Sequence, residues 1–141
     1  MKKFLCLLAV PCLLMGFTAC GRKAADYTVD YGASSIYSRE DMEKAVKALV
    51  RSFNSWEVRC TLLSVSYAGD ETVTEENLDY CNTMAVDFTF DKVIVFKTAF
   101  RTPESSEDAG AFESDTLYTD YTWYLAKEND DEWTVVTAGY A

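Results

Sequence analysis

Aromatic and acidic side chains gather near the end of the chain, on two segments predicted to be neighbouring strands. They are Tyr118, Asp120, Tyr121, Trp123, Tyr124 and Trp133. Aromatic rings beside a carboxylate suit the binding of a sugar or a peptide, because the rings offer apolar faces and the carboxylate accepts hydrogen bonds. The same residues could instead form ordinary cross-strand aromatic pairs in a core. They are therefore a possible ligand pocket, with core packing as the alternative.

Acid–base catalysis would need a carboxylate whose pKa is raised by loss of solvent. Asp120 or Asp87, each with a tyrosine nearby, could serve if it were buried. The chain contains no histidine, which excludes Ser-His-Asp and Cys-His sites built from this chain alone and removes the commonest transition-metal ligand. We therefore expect no enzymatic activity and no cofactor.

Two cysteines, Cys60 and Cys81, follow Cys20 in the chain. In an extracytoplasmic protein such a pair suggests a disulfide. The alternative is two buried thiols, since free cysteine packs as a small apolar residue.

A polar stretch at residues 103–115 concentrates acids in one loop: Glu104, Glu107, Asp108, Glu113 and Asp115. Calcium needs six to eight oxygen ligands in a compact loop, and this spacing matches no EF-hand. We expect a solvated hairpin tip and no metal site.

The charge balance is acidic, with 13 Lys and Arg against 23 Asp and Glu and a net charge of −10. Without its first 19 residues, which contain Lys2 and Lys3 and no acid, the chain has 11 basic residues against 23 acidic ones, a net charge of −12. Such a chain repels phosphate backbones, so nucleic acid is not an expected partner.

The first 19 residues have the pattern of a secretion signal. Lys2 and Lys3 form a basic start, and an apolar run from Phe4 to Met15 follows. That run is too short to cross a bilayer as a helix but has the length of a signal core. Phe17-Thr18-Ala19-Cys20 then resembles the lipobox of bacterial lipoproteins. The resemblance implies cleavage after Ala19 and a diacylglycerol on Cys20, with residues 20–37 as a flexible tether.

Two amphipathic helices are predicted. Residues 38–55 begin with Ser38 as a cap and Asp41 in position to reach back to it. One apolar stripe follows at helical spacing: Met42, Val46, Leu49 and Phe53. A shorter helix is predicted over residues 74–84, capped by Thr74, with Leu78, Cys81 and Ala85 marking its buried side.

Strands are predicted at residues 58–67, 92–102, 117–127 and 132–138. The order α-β-α-β-β-β predicts an α+β fold in which an antiparallel sheet of about four strands packs on two helices, both on one face. In the third of these strands, Tyr121, Trp123 and Leu125 should face the helices, and Tyr118 and Tyr124 should face away. The later strands carry apolar residues on both sides, which indicates that part of the second face is buried too.

Several segments resemble a family of small lipoproteins, often from clostridia, whose function is uncharacterised. They are Tyr37-Ser38-Arg39-Glu40-Asp41-Met42, Cys60-Thr61-Leu62, Val93-Ile94-Val95-Phe96, Tyr121-Thr122-Trp123-Tyr124-Leu125 and the ending Trp133 to Tyr140. This family resembles the nuclear-transport-factor-2-like cone, a curved sheet wrapped around helices. The resemblance implies a cone-like domain over residues 38–141 with an aromatic-lined cavity.

These features together predict a lipid-anchored, non-enzymatic binding module on the outer side of the cytoplasmic membrane, in the cell envelope. The expected partners are the membrane, through the lipid on Cys20, and an envelope protein or a small ligand. The alternative is an enzyme that acts on an envelope component through a carboxylate and tyrosine site in the cone cavity.

Overall fold

The structure, a computed structural model, describes residues 26–140 of the chain. The predicted leader 1–19, Cys20 and the first part of the predicted tether lie outside the described residues. The elements in chain order are β1 (Thr28–Asp30), α1 (Arg39–Asn54), β2 (Thr61–Tyr67), a 3-10 turn (Asp70–Thr72), α2 (Glu75–Met84), β3 (Lys92–Arg101), β4 (Leu117–Lys127) and β5 (Thr134–Gly139).

The strands form one mixed sheet in the order β1-β2-β3-β4-β5. β1 runs parallel to β2, because α1 carries the chain back across the sheet between them, and the other neighbours are antiparallel. The α+β class and the two helices are confirmed, but the prediction of about four antiparallel strands is wrong. The fifth strand, β1, lies inside the segment 20–37 that was predicted to be a flexible tether.

The centre of the sheet is apolar on both faces. All four residues from Val93 to Phe96 are buried, and successive side chains of a strand point to opposite sides. Both faces must therefore be covered. The prediction that both helices share one face is wrong: α1 packs on one face and α2 on the other.

The α1 layer forms the larger core. Ser38 caps the helix, its hydroxyl accepting from the amide of Asp41 at 3.1 Å. The predicted stripe is buried as expected, and it packs against residues from the middle three strands and from the start of β5. The strand and turn residues of this core include Leu62, Val65, Ile94, Phe96, Phe100, Trp123, Leu125 and Trp133.

The α2 layer covers the opposite face with a smaller core. Thr74 caps the helix by accepting from the amide of Asn77 at 3.1 Å. Cys81 is fully buried there against Val93, Val95 and Ala126. The loop after the helix is held by Asn82, whose side chain exchanges two hydrogen bonds with the backbone of Phe90. A ten-residue helix thus suffices for the second face.

Asp70 ties the segment before α1 to the turn after β2. Its carboxylate accepts hydrogen bonds from the hydroxyls of Ser34, Ser35 and Tyr67 and from the amide of Ser35. These bonds, that of the Ser34 hydroxyl first, lower the pKa of Asp70 from 3.8 to about 2. The chain before α1 is therefore fixed to the sheet from β1 onward.

Tyr37 completes the attachment of this segment. Its buried hydroxyl donates to the carbonyl of Val93 at 2.8 Å, and its ring meets Trp133 edge-on at 5.5 Å. Burial, with the charge of Asp41 adding to it, raises the pKa of Tyr37 to about 12.

Leu49→Ala tests the assigned face of α1. Leu49 is fully buried, so truncation should lower the free energy of unfolding by about 2–5 kcal/mol through lost contacts and a cavity. Lys47 is exposed two residues earlier in the helix, so Lys47→Ala should change the free energy of unfolding by less than about 0.5 kcal/mol. Urea unfolding measures both variants. Equal effects of the two substitutions would contradict the packing of α1 on the sheet.

Acid should release the segment before α1 ahead of the rest of the domain. Because the pKa of Asp70 in the fold lies below its ordinary value of 3.8, the ionised carboxylate stabilises the fold above that value, and this contribution is lost as the pH falls towards 2. The amide resonance of Ser35 should titrate with that midpoint in NMR spectra. Asp70→Asn should abolish the titration and expose residues 26–37 to protease at neutral pH, whereas Asp79→Asn on the exposed side of α2 should do neither.

Candidate functional site

The six residues predicted to line a pocket do not line a single pocket. Tyr121 and Trp123 pack on the α1 face, as expected from their alternation with Leu125. Tyr124 lies on the opposite face against α2, with its ring 5.3 Å from that of Tyr80. Trp133 packs at the far end of the α1 face, beside Tyr37.

Tyr118 lies on the α1 face, where it stacks on Phe100, and not on the face predicted for it. The cause is a β-bulge. Between two pairings, Thr98 with Tyr121 and Phe100 with Tyr118, β4 contains one residue more than β3. Asp120 lies in this bulge with a φ of 55° and an exposed side chain. The bulge reverses the facing of every β4 residue that precedes it.

An aromatic cluster fills the end of the α1 face nearest this bulge. Its centre is Trp56, just after α1, which the sequence pattern did not single out because it belongs to no periodic segment. Trp123 and Phe112 stack on Trp56 at 5.4 and 5.7 Å. The Trp123 indole N–H donates to the Thr98 hydroxyl at 2.9 Å. Because these rings stack on one another, the arrangement favours core packing over a platform for a sugar.

Cys60 and Cys81 are free thiols. Cys60 packs beside the α1 core and Cys81 lies inside the α2 core, so the sheet separates them. Of the two alternatives left open by the sequence, the structure therefore has two free thiols and not the possible disulfide. Burial raises the pKa of both thiols, that of Cys81 to about 11.

The acidic loop is closed by hydrogen bonds between the Thr102 side chain and the backbone at the other end of the loop. The Thr102 hydroxyl donates to the carbonyl of Glu113 at 2.6 Å, and the amide of Thr116 donates back to that hydroxyl at 2.8 Å. Within residues 26–140 no group of three histidine, cysteine or acidic side chains is arranged to hold a metal ion. Over the same residues, no helix combines the length and apolar character needed to cross a bilayer.

A groove runs between α1 and the outer strand β5. Three adjoining cavities of about 500, 430 and 570 Å³ make it up, and neighbouring cavities share lining residues. Arg51 and Trp133 line the first two, and Ser52 and Val135 line the second and third. We call this feature the α1–β5 groove; its charged end lies at Lys127 and its aromatic end at Trp56.

Lys127 forms part of the wall at the charged end. It is the last residue of β4 and only 7% exposed. Its ammonium lies 3.5 Å from the carboxylate of Asp41 on α1 and 4.8 Å from the centre of the Trp133 ring. A buried cation of this kind needs such partners, because the loss of water around it costs several kcal/mol.

The charges around the groove differ from those of the chain as a whole. Lys44, Lys47 and Arg51 lie along the α1 side, and Asp130, Asp131 and Glu132 lie opposite on the turn before β5. With Lys127 and Asp41 the charged end is balanced, although the chain carries a net charge of −10. Lys44 pairs with Glu40 at 2.8 Å, whereas Lys47 and Arg51 form no ion pair within the described part of the chain.

The sequence contains part of the signal for this groove. Lys44, Lys47 and Arg51 recur at helical spacing off the apolar stripe of α1, which places them together on one exposed side. Lys127 carries no comparable signal, since a lysine at a strand end usually marks exposure.

The chain matches no family model, no curated protein and no solved structure. The predicted relationship to clostridial-type lipoproteins and to the cone fold therefore stays a prediction, and the groove is interpreted from its own geometry.

Proposed function

We propose that this protein is a lipid-anchored module of the cell envelope, outside the cytoplasmic membrane, that binds an extended segment of another protein in the α1–β5 groove. The observation that carries the proposal is a groove with free cations beside an unpaired sheet edge. Among the strands of residues 26–140, β5 pairs with β4 alone, so the other side of β5 leaves backbone donors and acceptors open to a partner.

The dimensions of the groove support an extended polypeptide as the occupant. Its lining residues on α1 and at the C-cap run from Asp41 to Ser55, about 21 Å at about 1.5 Å per helical residue. An extended chain covers that distance in about six residues. A small ligand would occupy one of the three cavities only.

The alternative of an enzyme has less support. It requires a desolvated carboxylate beside a tyrosine, and both carboxylates proposed for that role, Asp120 and Asp87, are exposed. The aromatic rings that would line its cavity are packed on one another.

The anchor is tested by Cys20→Ser in cells that express the full-length chain. The substitution removes the thiol to which the lipid would be joined, so the protein should lose its acyl mass and either leave the membrane fraction or persist as precursor. Cys60→Ser is the control and should retain both the acyl mass and the membrane fraction. Membrane retention of the Cys20 variant at the wild-type level, with correct cleavage, would refute the anchor.

The groove is tested by photo-crosslinking in intact cells. A photoreactive residue replacing Thr134, which is exposed in the middle of the groove, should give a discrete protein adduct. The same residue replacing Asp79, on the other face of the molecule, should not. Adding Lys47→Glu and Arg51→Glu should reduce the Thr134 adduct severalfold without changing the melting temperature. Equal adducts from both positions, or none from Thr134, would refute the groove as the binding surface.

A further inference from the structure

The charged end of the groove contains two donors that lack hydrogen-bond acceptors, and one of them, the Trp133 indole nitrogen, is a buried atom. The Lys127 ammonium makes no hydrogen bond within residues 26–140 and has one ionic partner, Asp41, at 3.5 Å. The Trp133 indole nitrogen is buried with no hydrogen-bond partner, in a residue only 6% exposed. Trp123, by contrast, donates its indole N–H to Thr98.

These two groups are neighbours and share a cavity. The ammonium lies 4.8 Å from the Trp133 ring centre, and both residues line the cavity of about 500 Å³ at the charged end. A buried donor without an acceptor costs free energy, and so does an ammonium that has lost most of its water without gaining hydrogen bonds. An oxygen-bearing group that enters this cavity would remove part of that cost.

We infer that the charged end of the groove seats an acidic side chain of the bound segment, its carboxylate beside the ammonium of Lys127. A carboxylate carries two acceptor oxygens and a negative charge, so it provides what an ammonium with unfilled donors lacks. Lys47 and Arg51, on the α1 side of the same cavity, add positive charge without an ion pair of their own. The inference rests on the proposed function, since it assigns the chemistry of one subsite of that groove.

The acids on the opposite wall limit what can accompany that carboxylate. Asp130, Asp131 and Glu132 are exposed on the turn before β5 and would repel a second acid placed towards them. The preferred segment therefore carries one acid at the position of Lys127, with neutral or basic residues on the side of the turn.

The experiment is selection of two random hexapeptide libraries, one with amidated and one with free C-termini, on the full-length protein in detergent micelles. Selected peptides should be enriched in glutamate or aspartate at one position. Replacing that acid by its amide should weaken binding at least tenfold, which is the loss expected for one charge-assisted hydrogen bond.

Two substitutions of opposite expected effect, Lys127→Met and Asp41→Asn, then test whether a carboxylate binds beside Lys127. Lys127→Met should abolish the acid preference, whereas Lys97→Met, at an exposed lysine of β3, should leave it unchanged. Asp41→Asn removes the charge that competes for Lys127 and should tighten the acidic peptide severalfold. If the Lys127 and Asp41 pair had a purely structural role, both Lys127→Met and Asp41→Asn would weaken binding of the acidic peptide.

The remaining outcomes separate the two proposals. Peptides that bind without acid enrichment would overturn the acidic seat and leave the groove proposal intact. No groove-dependent peptide binding at all would overturn both. Binding only by peptides with a free C-terminal carboxylate would replace the side chain by the chain end as the seated group and so refute the inference as stated.

Discussion

The burial of both faces of β3 and β4 is the constraint on which the rest of the fold depends. Val93 and Val95 face one way and Ile94 and Phe96 the other, and all four are buried. An apolar side chain left in water on either face would forfeit about 1.5–3 kcal/mol. A single layer of helices cannot cover both, so the chain places α1 on one face and the short α2 on the other.

The α1–β5 groove results from the way α1 covers its face of the sheet. α1 packs on the sheet through its apolar stripe. Its exposed side, with Lys47 and Arg51, borders the edge strand β5. Lys127 is buried because it is the last residue of the apolar strand β4 and lies between α1 and Trp133. Charge and sheet edge thus meet at one place for reasons of packing.

Local signals predicted the elements well. Both caps, Ser38 and Thr74, and the α1 stripe depend on residues a few positions apart, and all are confirmed. The face chosen by each helix is a tertiary choice that periodicity does not encode, so the common face for both helices was wrong. β1 was missed because three residues carry no alternation and its partner strand lies far along the chain.

The candidate site was harder to predict than the fold, for related reasons. The β-bulge at Asp120 places Tyr118 on the face opposite to the predicted one. The sequence did not indicate this bulge, because its residue with positive φ is an aspartate and not a glycine. Trp56 and Lys127 owe their roles to neighbours from distant segments. The rings of Trp123 and Tyr121 were recognised, but their type alone could not distinguish a core from a pocket.

The first and last strands occupy opposite edges of the sheet, and this arrangement sets how far the groove can reach. Seven residues, Gly21 to Tyr27, separate Cys20 from β1, and even fully extended they span only about 25 Å. Four strand spacings, about 19 Å, then separate β1 from β5. With a lipid on Cys20, the groove would be confined to a thin layer above the bilayer. A partner held in the same membrane would meet it at a high effective concentration, so an interaction too weak to persist in solution could be fully occupied there.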